Sequence, residues 1–181
     1  MSSLTFRRVN VSLYVKVLGV LLFTVATAIS ARVSVLLPFS PVPLTLQVLV
    51  VILSGLVLGA TGGLISQLLY LQAILLGAPL TAAGLAGPAA FLSPTAGYLV
   101  AFPLAAAIAG WFSHRSESLR PAWRALGGLV GLAVIYGLGA AWLSGFVGGL
   151  RNAWTLGVVP FLGVDLLKLV VATAVLSVRR R

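Results

Sequence analysis

Residues 44–76, LTLQVLVVILSGLVLGATGGLISQLLYLQAILL, decide the fold. Two apolar runs, about 44–59 and 64–76, flank Ala60-Thr61-Gly62-Gly63, and no charged side chain interrupts either one. A helix rises about 1.5 Å per residue, so crossing the hydrocarbon of a bilayer takes roughly 20 apolar residues. The small residues at 60–63 divide the stretch into two crossings joined by a tight connection.

The rest of the chain has the same character. Of 181 residues, 60% are hydrophobic and only 8% are charged, against about 25% charged in a soluble domain. Mean hydropathy is +1.15. Two acids and twelve bases cannot solvate the surface of a soluble globule this size. Disorder and coiled coil are excluded on the same grounds, leaving a polytopic membrane protein. There are no cysteines, which excludes disulfides and thiolate metal sites. The single histidine, His114, lies beside Arg115 in a polar stretch. The expectation is therefore no metal, no cofactor and no catalytic triad.

Working outward, an earlier apolar run spans about 11–37, with Lys16 near its start and Arg32 in its last third. Pro38-Phe39-Ser40-Pro41-Val42-Pro43 ends it, because proline lacks a donor and disfavours helix in the residue before it. Residues 77–94 are apolar but interrupted by Pro79, Gly84, Gly87, Pro88 and Pro94. Such broken backbone survives at membrane depth only where protein buries it or where it lines a cavity. A fourth run covers about 95–112, the polar loop Ser113 to Arg124 follows, and a fifth run covers about 125–146. Gly148 to Trp154 reads as a short loop. The last run starts near Pro160, a good first-turn residue, and ends near Val178. The expected architecture is all-α: one membrane domain over 1–181, built as a bundle of six transmembrane helices.

Charge placement sets the expected topology. The formal net charge is +10. Nine of the twelve bases form three clusters: Arg7, Arg8 and Lys16; Arg115, Arg120 and Arg124; and Arg179, Arg180 and Arg181. They make no single patch interleaved with aromatics, which argues against nucleic acid as a partner. With six spans all three clusters fall on one side, and the positive-inside rule makes that side, with both termini, cytoplasmic. The loops at 38–43, 77–94 and 147–155 then lie outside. Five spans would strand one cluster outside. Arg7, Arg8 and Ala26-Thr27-Ala28 have the look of a signal peptide, but cleavage there would break this parity, so the first span is expected to stay.

Asp165 and Lys168 carry the strongest chemical signal. Asp165 is the only acid in any apolar run, and Lys168, three residues on, shares its helical face. A charge at membrane depth costs about 2.5–3.5 kcal/mol on insertion scales. Pairing lowers that cost, and a position near a helix start favours the carboxylate. The plain alternative is a salt bridge that only pins helices together. The functional reading is chemical: a carboxylate accepts hydrogen bonds and an ammonium donates them. Together they suit a neutral ligand with N–H donors beside a carbonyl, as in a cyclic urea.

Other polar side chains are weighed the same way. Gln47, after Leu44-Thr45-Leu46, either meets a ligand or bonds a neighbouring helix. Gln67 and Gln72 read as interhelical glue. Arg32 has three options: snorkelling to the surface, pairing with Asp165, or meeting a ligand carboxylate; snorkelling is expected. Tyr98, after Ser93-Pro94-Thr95-Ala96-Gly97, is an interfacial residue or a pocket wall. Trp111, Trp123, Trp142 and Trp154 lie near run ends, as in an interfacial belt. Ala26 with Ser30, and Thr27 with Ala31, form small-residue pairs that either pack within the bundle or dock another membrane subunit. No Walker A loop, zinc motif or serine–histidine arrangement is present, so catalysis is not expected, and ATP-driven work needs a separate ATPase.

With these residues in view, the chain resembles the BioY family, the biotin-binding S components of energy-coupling-factor transporters. Three stretches carry the resemblance. Pro38-Phe39-Ser40-Pro41-Val42-Pro43-Leu44-Thr45-Leu46-Gln47 resembles the family's proline-rich entry ending in Thr-Leu-Gln. Ser93-Pro94-Thr95-Ala96-Gly97-Tyr98 resembles its Gly-Pro-Thr-Gly-Gly-Tyr, with Ser93 and Ala96 in place of glycines. Val159-Pro160-Phe161-Leu162-Gly163-Val164-Asp165-Leu166-Leu167-Lys168 resembles its last signature. The resemblance implies biotin capture from the outer face of a bacterial cytoplasmic membrane. Asp165 and Lys168 would address the ureido ring, with Gln47, Tyr98, Thr45 and Thr95 nearby. It also implies a transmembrane coupling subunit and two ATPase subunits, with Ala26 and Ser30 as the expected coupling contact. The alternatives are an S component for another small vitamin, or a membrane scaffold without a ligand.

Overall fold

The computed structural model describes residues 3–113, 115 and 120–178, and among these the side chains of 3–12, 120, 175, 177 and 178 are left aside. His114 and Arg179, Arg180 and Arg181 lie outside the described residues. So do the side chains of Arg7, Arg8 and Arg120.

The fold is mostly helical. Helix α1 runs Ser3–Arg32, α2 Gln47–Leu75, α3 Pro88–Phe91, α4 Ala96–Ser113, α5 Arg120–Val147, α6 Leu150–Gly157 and α7 Val159–Val178. Among the described residues, four helices are long and apolar enough to cross a membrane, or five if α6 and α7, bent by 47° at their junction, make one broken span. The chain is a multi-pass membrane protein.

Helix α2 is folded, not straight. Gly59 departs from helical geometry, with φ 79° and ψ 178°, a left-handed conformation that glycine adopts without a Cβ penalty. A straight helix would hold residues 47 and 70 about 35 Å apart. Instead the Gln47 amide nitrogen donates to the Tyr70 hydroxyl at 2.8 Å, and the Gln67 amide to Ser54 Oγ at 3.2 Å. The limbs 47–58 and 60–75 therefore run antiparallel. The turn falls at the small-residue connection read from the sequence, one residue before Ala60.

Helix α4 packs between α2 and α5 and is the most buried of the candidate spans. Contact is close because the residues at the crossings are small. A Cβ on Gly55 would lie 2.0 Å from the Ala106 carbonyl oxygen, and one on Gly110 would lie 2.4 Å from Ala60 N. Lipid tails are as apolar as leucine, so van der Waals packing at such crossings replaces the hydrophobic drive of a soluble core.

Several expectations need correction. Helix α1 ends at Arg32, not near 37. Ser34–Val35 and Leu44–Thr45 instead form a short antiparallel ribbon, with Ser34 opposite Thr45 and Val35 opposite Leu44. The ribbon satisfies backbone groups beside prolines that would break a helix. Residues 150–157 are not a loop but about two turns of amphipathic helix, with Ala153 buried inward and Leu150 and Trp154 exposed. The small-residue face of α1 turns inward. Thr27, Ser30 and Ala31 are buried and Ala26 is half-buried, because small side chains let α1 close onto α2. Ser30 donates to the Thr27 carbonyl at 2.8 Å. The exposed side of α1 carries Leu18, Leu22, Val25 and Ile29 instead. The segment 77–94 is broken as expected, with positive φ at Gly77, Gly84 and Gly87 around the single turn of α3.

The loops gather at one end of the bundle. Ser40 Oγ donates to the Leu156 carbonyl at 2.7 Å, and the Arg32 guanidinium donates to the Pro79 carbonyl. These contacts join the segments around 33–46, 76–95 and 148–158, the three that charge parity groups on one side.

Candidate ligand-binding site

The loop end holds a cavity of about 160 Å³, counted as space for the centres of water-sized spheres. One water needs about 10–15 Å³ on that measure, so the space suits a small organic molecule. Four helices supply its floor: Gln47 from α2, Phe102 from α4, Ile135 and Tyr136 from α5, and Asp165 from α7, all buried. Leu44, Val48, Leu85, Leu99 and Phe161 give apolar walls. The exposed lining residues Leu36, Pro41 and Ala83 mark the open side.

Asp165 is 3% exposed, yet its carboxylate borders the cavity. Oδ1 accepts from Lys168 Nζ at 2.6 Å, and Oδ2 accepts from the Tyr136 hydroxyl at 2.7 Å. Two donors from different helices thus fix the plane of the carboxylate. An ionised carboxylate has about four lone-pair sites, so acceptor capacity remains on the cavity side. A hydroxyl has two acceptor sites as well, and Tyr136 lines the same space. The floor is built to receive N–H donors.

Lys168 stands one layer behind. Its ammonium donates to Asp165 and also to the Thr45 carbonyl at 2.6 Å, tying α7 to the ribbon. It does not line the main cavity. It borders a separate void of about 10 Å³ with Val48, Ile52 and Leu132, too small for more than a water. The sequence reading has Lys168 facing the ligand directly. In the structure the ammonium orients Asp165 and Thr45, because the Thr45 carbonyl offers it a second acceptor away from the cavity.

The other candidate residues also reach the cavity, but most of their polar groups are engaged. Gln47 donates to Tyr70, whose hydroxyl donates in turn to the Leu80 carbonyl at 3.0 Å. Thr45 Oγ1 donates to Gln47 Oε1 at 3.4 Å and caps the Gln47 backbone N–H at 3.2 Å. Tyr98 donates to the Gly157 carbonyl at 2.9 Å, bolting α4 to the α6–α7 junction, while its ring lines the cavity. Thr95 Oγ1 lies 3.1 Å from Ser93 Oγ, and Trp142 Nε1 donates to the Ser93 carbonyl at 2.9 Å. That tryptophan, read as belt alone, holds the 93–95 wall against α5. Arg32 neither lines the cavity nor reaches Asp165. Gln67 joins Thr27, Ser54 and Ser66 at 3.2–3.3 Å, as interhelical glue does, and Gln72 is exposed. Among the described residues, no group of three His, Cys, Asp or Glu could hold a metal.

Tyr136 is the residue sequence reading missed. It sits mid-run among apolar neighbours, where a phenol needs a partner for its hydroxyl. That requirement was the available signal.

Asp165, the Thr-Leu-Gln entry and the 93–98 stretch thus converge on one cavity, with Lys168 directly behind it. A model described as the BioY family matches residues 5–181. This chain belongs to the BioY family. Among its relatives, the probable biotin transporter BioY of Pyrococcus horikoshii is 45% identical over 161 residues, covering 89% of this chain and 92% of that protein. The biotin transporter BioY of Thermotoga maritima is 38% identical over 154 residues, covering 85% and 89%. The Rhizobium etli biotin transporter BioY is 34% identical over 164 residues, covering 86% and 87%. Among solved structures, the S-component for biotin from an ECF-type ABC transporter superposes with a TM-score of 0.85. It is 24% identical, and the match covers 95% of this chain and 94% of that one. The chain therefore shares that S-component's fold.

Proposed function

We propose that this chain is the substrate-capture subunit of a vitamin uptake transporter and that it binds biotin in the cavity above Asp165. The carboxylate of Asp165 carries the reading, because it is buried, fixed by two donors and open to a space of small-molecule size. A scaffold without a ligand would seal its ion pair in a dry interior; here the carboxylate borders an open cavity. In this reading the ureido N–H groups donate to Asp165 and Tyr136. Gln47, Thr45 and Thr95 border the ring, and the Tyr98 ring and apolar walls cover the thiophane and tail. Lys168 acts by holding Asp165. The chain performs no catalysis.

The finer topology belongs to the same proposal. One membrane domain over 1–181 crosses six times: α1, both limbs of α2, α4, α5 and α7. Both termini and the Arg115 loop face the cytoplasm, and the cavity faces outward. Delivery across the cytoplasmic membrane takes a transmembrane coupling subunit and two ATPase subunits, since the chain has no nucleotide loop of its own.

Calorimetry on the purified full chain in detergent tests the proposal. Biotin binds the wild type, and Asp165→Asn weakens binding about 10–100-fold, as loss of a hydrogen bond to a charged acceptor predicts. Unchanged affinity in the variant overturns the site. A biotin titration with neither heat nor thermal shift overturns the function.

A further inference from the structure

The Asp165 side chain is the one acid bordering the cavity among the described residues. Among the described residues, no lysine or arginine side chain lines it. Lys168 is spent on Asp165 and the Thr45 carbonyl behind the floor. Arg32 is directed to the Pro79 carbonyl. Arg115 lies over the Trp111 ring, 3.6 Å from its centroid, and Arg124 donates to the Leu176 carbonyl. Lys16 and Arg151 are exposed on α1 and α6.

That distribution dictates how the site treats the two ends of a ligand. A carboxylate drawn toward the floor would leave water and face the Asp165 carboxylate in a medium of low dielectric, which is strongly unfavourable. At the open side it would meet Leu36, Pro41 and Ala83, which offer no charge and no side-chain hydrogen bond, so it keeps its water. Among the described residues, no cationic side chain lines the cavity to gain from a negative charge on the tail.

We infer that the site selects on the cyclic urea alone and is indifferent to tail charge, so its ligand class includes uncharged carboxamides and esters of the acid as well as the acid itself. This inference rests on the proposed biotin reading. The tail contributes through its methylenes against apolar walls, and its terminal group serves solubility.

The test compares biotin with its primary carboxamide on the purified full chain by calorimetry at one pH and salt concentration. Affinities within about fivefold of each other support the inference. A carboxamide weaker by more than that, with biotin still bound, overturns the inference and leaves biotin capture standing; a buried cation–carboxylate pair predicts a loss of about 30-fold or more. Binding of neither ligand overturns the biotin reading and this inference with it. Arg32→Gln supplies the second arm. An unchanged biotin-to-carboxamide ratio is expected. Selective weakening of biotin would mean that Arg32 leaves Pro79 to meet the tail, and overturns the inference.

Discussion

Tyr136 donates its hydroxyl to Asp165 Oδ2 at 2.7 Å across 29 residues of chain, so the acid at the cavity floor is itself held from a second helix. Tyr136→Phe removes this donor and leaves the ring. Asp165 keeps Lys168 on Oδ1, so thermal stability should change little. Binding should fall about tenfold, the equivalent of one hydrogen bond to a charged group near the low end of its range. Calorimetry beside a thermal-shift assay separates the two effects. A Tyr136→Phe protein with wild-type affinity would show that Lys168 alone orients the carboxylate.

Lys168→Met should act differently from Asp165→Asn. It strips the carboxylate of its counter-charge and leaves a buried anion, a change that costs about 3–5 kcal/mol in comparable pairs. The variant should therefore lose stability as well as binding. Replacing both residues, Asp165→Leu with Lys168→Met, removes the unpaired charge. Stability should return toward the wild type while binding stays lost. If the double variant is as unstable as Lys168→Met, the pair serves the fold first, through the tie from Lys168 to the Thr45 carbonyl.

How much of this was legible depended on whether a residue broke the pattern around it. Asp165 and Lys168 are charges in an apolar run, so their cost at membrane depth marks them at once. The fold at Gly59 was legible because Ala60-Thr61-Gly62-Gly63 interrupts two apolar runs. Tyr136 breaks nothing in a hydropathy profile; only its need for a partner sets it apart. The direction of Lys168 depends on a backbone carbonyl at Thr45, 123 residues earlier, which no local pattern encodes. Helix α6 is eight residues long behind Gly148 and Gly149, too short for periodicity to separate it from a loop. Ser30 could face a partner or the bundle, since small residues serve close packing in either direction; in this chain it is buried.

Gly110 tests the close packing of α4 on the fold of α2. An added Cβ would come within 2.4 Å of Ala60 N and Gly59 C, which are backbone atoms at the fold of α2. Backbone cannot rotate aside as a side chain does. Gly110→Ala should therefore destabilise the protein by about 1–3 kcal/mol, the usual cost of overpacking. The same change at Gly137, which has nothing within 4 Å, should be neutral or slightly stabilising because alanine is the better helix former. Equal melting temperatures for the two variants would contradict the close crossing of α2 and α4.

Trp142 links the packing of α5 to the cavity wall. Its Nε1 donates to the Ser93 carbonyl at 2.9 Å, and a Cβ on Gly97 would lie 2.3 Å from the Trp142 Cβ. The helix backbones are thus already in contact, and the indole adds a specific tether to the segment that carries Thr95. Trp142→Phe keeps an aromatic ring and deletes the donor. The freed carbonyl then loses a hydrogen bond with a typical net contribution of about 1 kcal/mol. Loosening should be local, because Tyr98 still bolts α4 to Gly157. Hydrogen exchange should accelerate at 93–96 without a matching increase in α4 or α5. Biotin affinity should drop about three- to tenfold through faster dissociation, since a looser wall lets the ligand leave more readily. An unchanged dissociation rate alongside faster exchange would mean that Thr95 lines the cavity without contributing to retention.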